Sequence, residues 1–353
     1  MTSVDTIIIG QGLAGSVMAL QSLRMGHSVV VVHSSKWSQA SKVAAGLYNP
    51  FMAQKNQVLR AAKEKWTDLH DFYTYAENLL GKSFYHPMKM YRPYLEKNKE
   101  VLGPEHPFQE WIEKEVDQAY YSQWVYNSEG GVATTHAGYL NTAVFLEATA
   151  QYLISKDAFL NTTFHESEMT ILEDGVEWNG IKAKRLVLCL GWQNRACSLF
   201  NWLPISLLKG DVFRVKMEGA PLKEIINKKH FIIPLENNIY RAGSTYSRNF
   251  DTIEPEDVGK KELEQGLKEM LKPDFNVIEH LSGVRPNSGD HHPMVGPHPY
   301  YPQLFCINGL GSKGVAYAPY AINALLNYIC NGIEINSFID VQRFYSLYYK
   351  KLK

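Results

Sequence analysis

A charge excess is the first thing this sequence lacks. Its 36 acidic and 36 basic residues cancel over 353 positions, so no overall electropositive field points to nucleic acid or an anionic membrane. Cysteine is scarce: Cys189, Cys197, Cys306 and Cys330 include no C-x-x-C pair, which argues against a zinc site or a redox dithiol and predicts buried free thiols. No apolar run approaches the roughly 20 residues that span a bilayer. Met1 leads straight into an apolar strand without a basic leader or cleavage site, and a cytoplasmic protein is expected. Neither internal repeats nor low-complexity tracts are found. What remains is 45% hydrophobic, enough for two domains of about 150 residues each.

The N-terminus reads as a βαβ unit. Thr6 to Ile9 are all β-branched, Leu13, Val17, Leu20 and Leu23 share one helical face, and Gly26 stands where that helix would end. Val29 to Val32 then forms a continuous apolar run, as in a strand buried on both faces. Between strand and helix lies I-I-I-G-Q-G-L-A-G, with Gly10, Gly12 and Gly15 at the spacing of a dinucleotide-binding turn. The first glycine permits the tight turn, the second admits a pyrophosphate to the backbone NH groups, and the third lets helix pack on strand. Phosphate charge is met by the helix N-terminus, which places Leu13 and Ala14 beside the ligand. The acidic residue expected at the end of the second strand, to hold the ribose hydroxyls, is replaced by His33 and Ser34. His33 is expected to lie against the adenosine ribose; with Lys36 it also leaves open a 2′-phosphate, as in an NADP-dependent dehydrogenase.

Further along, helices are expected over Asn56 to Leu80 and Thr135 to Leu153, and short strands over Ala158 to Val176 with a turn at Asp174-Gly175. Glu110 to Val125 is aromatic-rich and ambiguous. A buried strand, Arg185 to Leu190, stops at Gly191 and is expected to return to the first sheet. Asp211 to Met217 and His230 to Gly243 alternate like antiparallel strands, with turns at Gly219-Ala220-Pro221 and Glu236-Asn237-Asn238. Leu304 to Asn308 is one more strand, ahead of a glycine-rich segment and a helix through Ile329.

Several segments together resemble the D-amino-acid oxidase and glycine oxidase superfamily of FAD-dependent oxidoreductases. They are G-V-R-P-N-S-G-D-H-H-P-M-V-G from Gly283 to Gly296, L-F-C-I-N-G-L-G-S-K-G-V-A-Y-A-P from Leu304 to Pro319, and S-K-V-A-A-G-L-Y-N-P from Ser41 to Pro50. L-V-L-C-L-G-W, ending at Gly191 and Trp192, L-K-G-D-V-F-R-V around Gly210 and Y-R-A-G-S-T around Gly243 complete the series. The resemblance spans nearly the whole length in the right order. It implies an α/β fold: a Rossmann-like FAD-binding domain of the glutathione-reductase type (1–80, 131–200 and 283–353) interleaved with an antiparallel-sheet substrate domain (81–130 and 201–282). It also implies noncovalent FAD, since no cysteine stands where sarcosine oxidases attach flavin. The cofactor is expected on the first turn, His33 and Ser34, then Ser41, Ala45, Gly46 and Leu47, then Met169, Gly191 and Trp192, and finally Arg285 with Gly309, Leu310, Gly311, Ser312, Lys313 and Gly314. Free NH groups at that last helix start suit the negative charge of a reduced flavin.

The chemistry so implied is hydride transfer from the carbon of an amine or amino acid to flavin, the protein anchoring the substrate and orienting its C–H bond. Arg285 stands where glycine oxidase-like enzymes place a carboxylate-binding arginine, whose fork matches a carboxylate bidentately. Lys313, Tyr246 and Asn49 are the other candidate catalytic residues, and Tyr48 neighbours them. Where the family carries a tyrosine, a second arginine and a lysine, this sequence has Phe231, Ser312 and Ala316. G-L-G-S-K-G is also similar to a G-S-R-G version in the FAD domain of the bifunctional enzymes for 5-methylaminomethyl-2-thiouridine in tRNA, so a tRNA-uridine substrate is an alternative. A binding module that has lost its site is another. Tyr120, Tyr121, Trp124 and Tyr126 either wall a substrate cavity or fill a core. Asp290, His291 and His292 look like metal ligands, but adjacent histidines diverge and no third ligand is evident, so no metal is expected. The substrate is a small amine or amino acid; the oligomeric state is open.

Overall fold

In the computed structural model, which describes residues 2–36, 40–50, 61–94, 109–113, 115–219 and 221–351, the chain alternates between two large sheets. The β-branched start forms β1 (Thr2–Ile9), the amphipathic stretch forms α1 (Leu13–Arg24), and the apolar run forms β2 (Val29–His33). A short α2 (Ala40–Val43) and β3 (Leu47–Tyr48) precede the long α3 (Ala62–Leu80), which ends at Gly81 with φ +61°. The first part of the helix expected from Asn56 lies outside the described residues. Next come β4 (Tyr85–Pro87), β5 (Met90–Pro93), α4 (Gln118–Tyr121), β6 (Gly131–Thr134) and β7 (Gly138–Leu140).

The helix expected from Thr135 begins later, as α5 (Thr142–Ser155). Gly138 to Leu140 is drawn into pairing with β3 and β4, and the Asn141 side chain then caps the helix by accepting from the Val144 NH. β8 (Phe159–Asn161), β9 (Met169–Ile171), β10 (Val176–Trp178) and β11 (Ile181–Leu188) follow. β12 (Ile205–Met217), β13 (Ile225–Asn227), β14 (Phe231–Pro234) and β15 (Ile239–Gly243) lead to α6 (Asp257–Met270) and β16 (Phe275–Ser288). The chain closes with β17 (Met294–Pro297), β18 (Leu304–Asn308), α7 (Gly314–Asn331) and α8 (Tyr345–Lys351).

The first sheet has the order β17-β18-β11-β1-β2-β8, with β10 and β9 as an antiparallel extension of β11. Its strands from β18 to β8 are parallel, and β11 does return to it, beside β1. Apolar side chains cover both faces. Ile8, Val31, Val187 and Ile307 pack with α1, α3, α5 and α7, while Ile7, Ile9, Val32 and Leu188 pack with Phe200, Trp202 and residues of α8. Burial on both sides is why β2 reads as an unbroken apolar run.

The second sheet has the order β16-β12-β15-β14-β13-β5-β6. Its pairing runs past the boundaries expected at 131 and 283: β6 pairs with β5, and β16 stays on β12 as far as Ser288 opposite Ile205. One face is apolar, because Tyr91, Phe213, Ile226, Ile232 and Ala242 pack on Leu263, Leu267 and Met270 of α6. Tyr121 and Trp124 join that core rather than walling a cavity, and Tyr126 is exposed. Cys189, Cys197 and Cys306 are buried as expected, but Cys330 is exposed at the end of α7, with its sulfur 3.2 Å from His27 Nε2.

Candidate functional site

The site is assembled where loops at the strand ends of the first sheet meet the second sheet. At the first turn Gly10 has φ +100°, and a Cβ there would stand 2.5 Å from the Cys189 carbonyl oxygen. A Cβ on Gly15 would run into the Gly10 carbonyl, so β1, α1 and the end of β11 meet at distances that only glycine allows. Gly12 is the N-cap of α1 and provides no capping side chain. The Leu13 NH instead donates to Ser41 Oγ at 3.1 Å, which brings the Ser41–Leu47 segment over the helix N-terminus. Within that segment Gly46 has φ +70° and lies against the Leu140 backbone.

His33 turns its ring toward the turn, and Nδ1 accepts from the Gln11 NH at 3.5 Å. Burial, then the nearby Lys42 charge, lower its pKa to about 4, so at neutral pH the ring is uncharged and offers no cation to a 2′-phosphate. Ser34 is buried beside it and receives a hydrogen bond from Thr163 Oγ1 at 3.2 Å.

The C-terminal glycine segment comes to the same place. Gly309 (φ +68°) and Gly311 (φ +52°) take left-handed conformations, and Leu310 sits opposite Asn287 of β16. A Cβ on Gly314 would lie 3.1 Å from Leu13, so the N-termini of α1 and α7 are neighbours. Asn308 ties this segment to the end of β11: its Nδ2 donates to the Gly191 carbonyl at 2.9 Å, and its Oδ1 accepts from the Gly309 NH at 2.8 Å. Gly191 and Trp192 open the short helical turn there. Two helix N-termini and a set of glycine-lined approaches thus face one region, an arrangement suited to a phosphate-bearing ligand with a negatively charging ring. Met169 stands apart, paired with Trp178 on the antiparallel extension and packed against the apolar cluster behind β1.

The inward face of the second sheet supplies polar groups. Alternation along β16 puts Gly283, Arg285 and Asn287 on this face, and a Cβ on Gly283 would meet Val43 of α2. The Arg285 guanidinium lies flat across Gly210, its Cζ 5.0 Å from the Tyr246 ring centroid, and Nη1 donates to the Thr245 carbonyl at 3.4 Å. Burial lowers its pKa from the usual arginine value, with Tyr246 and Asp211 opposing the shift. Phe231 stands directly opposite Gly243, where its ring occupies the space a Cβ would need. Lys313, half-buried at the start of α7, donates to Asn49 Oδ1 at 3.3 Å. Burial, and then the Arg92 charge, bring its pKa down to about 7.

Other residues of the site had no motif to announce them. Arg92 (β5) and Arg241 (β15) share the inward face, and Arg241 Nη1 donates to the Ala44 carbonyl at 3.1 Å, fastening the sheet to the Ser41–Leu47 segment. Behind the sheet, Asp211 accepts from Thr245 Oγ1 at 2.6 Å and faces His280 Nε2 at 2.8 Å. That network ties β12 and β16 to the segment that carries Tyr246. Asp290 is engaged by Arg343 at 2.8 Å and His292 faces the Tyr317 hydroxyl at 3.3 Å; among the described residues no cluster of metal-ligating side chains is found. Nor is any described helix long and apolar enough to cross a membrane.

Comparison with known proteins agrees with this geometry. The curated tRNA 5-methylaminomethyl-2-thiouridine biosynthesis bifunctional protein MnmC of Saccharophagus degradans is 23% identical, over 93% of this chain and 53% of that one. The chain spans about half or less of the length of the curated relatives it matches. Among solved structures, glycine oxidase from Bacillus cereus superposes with a TM-score of 0.75 at 18% identity, over 94% of this chain and 96% of that one. L-proline dehydrogenase from P. horikoshii does so with a TM-score of 0.75 at 14% identity, over 100% and 99%. At these identities the likeness is one of fold. The FAD dependent oxidoreductase family model matches residues 5–325, and the chain belongs to that family, the FAD-dependent enzymes of the D-amino-acid oxidase and glycine oxidase superfamily.

Proposed function

We propose that this enzyme oxidises the C–N bond of a carboxylate-bearing amine, an amino acid or an N-substituted one, in the space between α7 and the inward face of the second sheet. The observation that carries the reading is Arg285, held across Gly210 and over Tyr246 on the face that meets the cofactor segments. FAD, when bound, would accept a hydride, the C–H proton with its two electrons, from the carbon next to nitrogen, leaving an imine. The residues fit it: the Gly10, Gly12, Gly15 turn would take the pyrophosphate, neutral His33 the ribose, and the N-terminus of α7 the N1/C2=O side of the ring. No cysteine bond to flavin is needed. The first sheet with its helices serves as the FAD-binding domain, and the second sheet with α6 as the substrate domain.

Arg285 provides two parallel N–H donors to a substrate carboxylate, and its lost hydration favours the anion as partner. Tyr246 beneath the guanidinium limits where it swings, so the carboxylate fixes the adjacent C–H bond relative to the ring. Phe231, on the same face, offers an apolar wall that excludes water from the reacting carbon.

The test is anaerobic reduction of the purified yellow protein with glycine, sarcosine, D-amino acids and N-alkylated amino acids. Bleaching by at least one is expected, with Arg285→Lys weakening carboxylated substrates far more than carboxylate-free amines. A protein that binds no FAD, or equal losses for both classes, would end this reading. The resemblance to MnmC proteins favours one second reading, a carboxymethylated uridine amine in tRNA as substrate; bleaching by tRNA bearing that group, and by none of the small amines, would establish it.

A further inference from the structure

From the segment behind Arg285 we infer that Lys209 is a positioning residue for the substrate anchor: it gathers the 252–256 stretch beneath the second sheet and so sets where Tyr246 and the Arg285 guanidinium stand. This rests on the reading of Arg285 as carboxylate anchor and adds to it a residue on the far face of the sheet.

Lys209 lies within β12 and is only 2% exposed. Alternation along the strand turns Gly210 toward Arg285 and turns Lys209 and Asp211 the other way, to the α6 side. There the three donors of the ammonium meet three acceptors: the Thr252 carbonyl at 2.8 Å, the Glu254 carbonyl, and Glu256 Oε2. Ser282 of β16 adds a further tether, its Oγ donating to the Ile253 carbonyl. The residues leading from β15 to α6 are thus drawn down onto the back of the two strands that carry Gly210 and Arg285.

The upstream part of the same stretch holds an irregularity. Val212 stands opposite Gly243, but Lys209 stands opposite Ser247, with a backbone hydrogen bond of 2.9 Å in each direction. Three residues, Ser244 to Tyr246, therefore face two, Gly210 and Asp211. That is a β-bulge, which gives up regular pairing and re-aims a side chain. Here it supplies two neighbours of the guanidinium, the Tyr246 ring and the Thr245 carbonyl. Asp211 pins the bulge at one end, its NH donating to Thr245 Oγ1 at 2.8 Å. Lys209 pins the other end, its main chain pairing with Ser247 and its side chain holding the residues that follow.

Stability alone does not call for a lysine at this place. Taking an ammonium out of water is costly, and a well-packed apolar residue of similar volume often serves a core as well or better. A methionine would fill the space, but it would not collect acceptors from Thr252, Glu254 and Glu256 and so fix one path for the chain.

The experiment titrates the FAD-loaded protein with acetate and with acetamide, its uncharged counterpart, and follows the flavin absorbance. Acetate draws on the Arg285 charge and acetamide does not, so the ratio of their affinities reports the anchor. Folding and cofactor content are read separately, from the unfolding midpoint and the flavin-to-protein absorbance. Lys209→Met is expected to keep its flavin and to lower the acetate-to-acetamide ratio about fivefold or more. Ser282→Ala removes one tether and leaves the ammonium in place; it is expected to lower the ratio about threefold, and it decides the matter should Lys209→Met not fold. In a Tyr246→Ala background the effect of Lys209→Met is expected to shrink to less than about twofold, because its route to Arg285 is gone. A ratio equal to the parent's in Lys209→Met, or in Ser282→Ala where Lys209→Met does not fold, would overturn the inference, as would a fall equally large with and without Tyr246. Parent protein that binds acetate no tighter than acetamide would instead remove Arg285 as anchor, and this inference with it.

Discussion

Replacing Gly210 by alanine tests the site without touching any charged residue. A methyl group there would fall on the Arg285 guanidinium, closest to Nη1 and Nη2 and nearly as close to Cζ, far inside the roughly 3.5 Å of ordinary contact. The guanidinium must then move by about 1 Å or more, off its place above Tyr246. That movement costs the fold little, because the displaced atoms are the end of a flexible side chain, and removing glycine from the middle of β12 recovers some ~0.5–1 kcal/mol of backbone entropy. On the proposed role of Arg285 as anchor, a misplacement of about 1 Å in a bidentate contact lowers turnover on the order of 10²-fold, and carboxylate affinity falls about 10-fold to 100-fold with the loss of one charge-assisted bond. The assay pairs thermal unfolding of the FAD-loaded protein with titration of acetate and with anaerobic flavin reduction. Expected are an unchanged or slightly raised melting temperature, full flavin content, and weakened acetate binding. Flavin content and acetate affinity both equal to those of the parent protein would refute the assignment of Arg285 as anchor.

Three further outcomes follow from the same geometry. Gly15→Ala places a Cβ against the Gly10 carbonyl, a backbone atom with nowhere to go, so loss of FAD and destabilisation of about 1–3 kcal/mol are expected, read as the flavin-to-protein absorbance ratio and the unfolding midpoint. His33 has its folded pKa lowered to about 4 from an ordinary 6.5, so the unfolded chain takes up the proton first as pH falls; stability contributed by neutral His33 is present above about 6.5 and lost toward 4, and His33→Gln should flatten urea-unfolding midpoints across that window. Lys313, its pKa brought down to about 7 by burial and then the Arg92 charge, is cationic below that pH and neutral above it, so the flavin absorbance of the FAD-loaded protein is expected to shift between about pH 6 and 8.5; a shift that persists unchanged in Lys313→Gln would assign it to another group.

The first sheet was legible because periodicity and glycine spacing are local signals. Four β-branched residues, Gly10, Gly12 and Gly15, and the run Val29 to Val32 state strand, turn and strand within a few positions of one another. Contacts between distant segments were harder to read. Helical periodicity from Thr135 took in Gly138 to Leu140, because nothing nearby reveals that β3 and β4, drawn from far upstream, compete for those residues. In the same way the end of the second sheet at Ser288, beyond the expected boundary at 283, is set by pairing with β12, a partner about 70–80 residues earlier.

The balanced composition illustrates a deeper version of that difficulty. A net charge of zero weighs against a broad electropositive surface, but it is a sum, and a face of a sheet has a direction. Arg92, Arg241 and Arg285 lie far apart in sequence, and no spacing rule connects them. They come to one side only because each occupies the same pleat parity in a sheet whose other side is claimed by the apolar contacts of Phe213, Ile232 and Ala242 with α6. Hydrophobic burial on the α6 side therefore decides the electrostatics on the inward side: slipping β16 by one residue against β12 would turn Arg285 into the core, away from the glycine-rich segments of the first sheet.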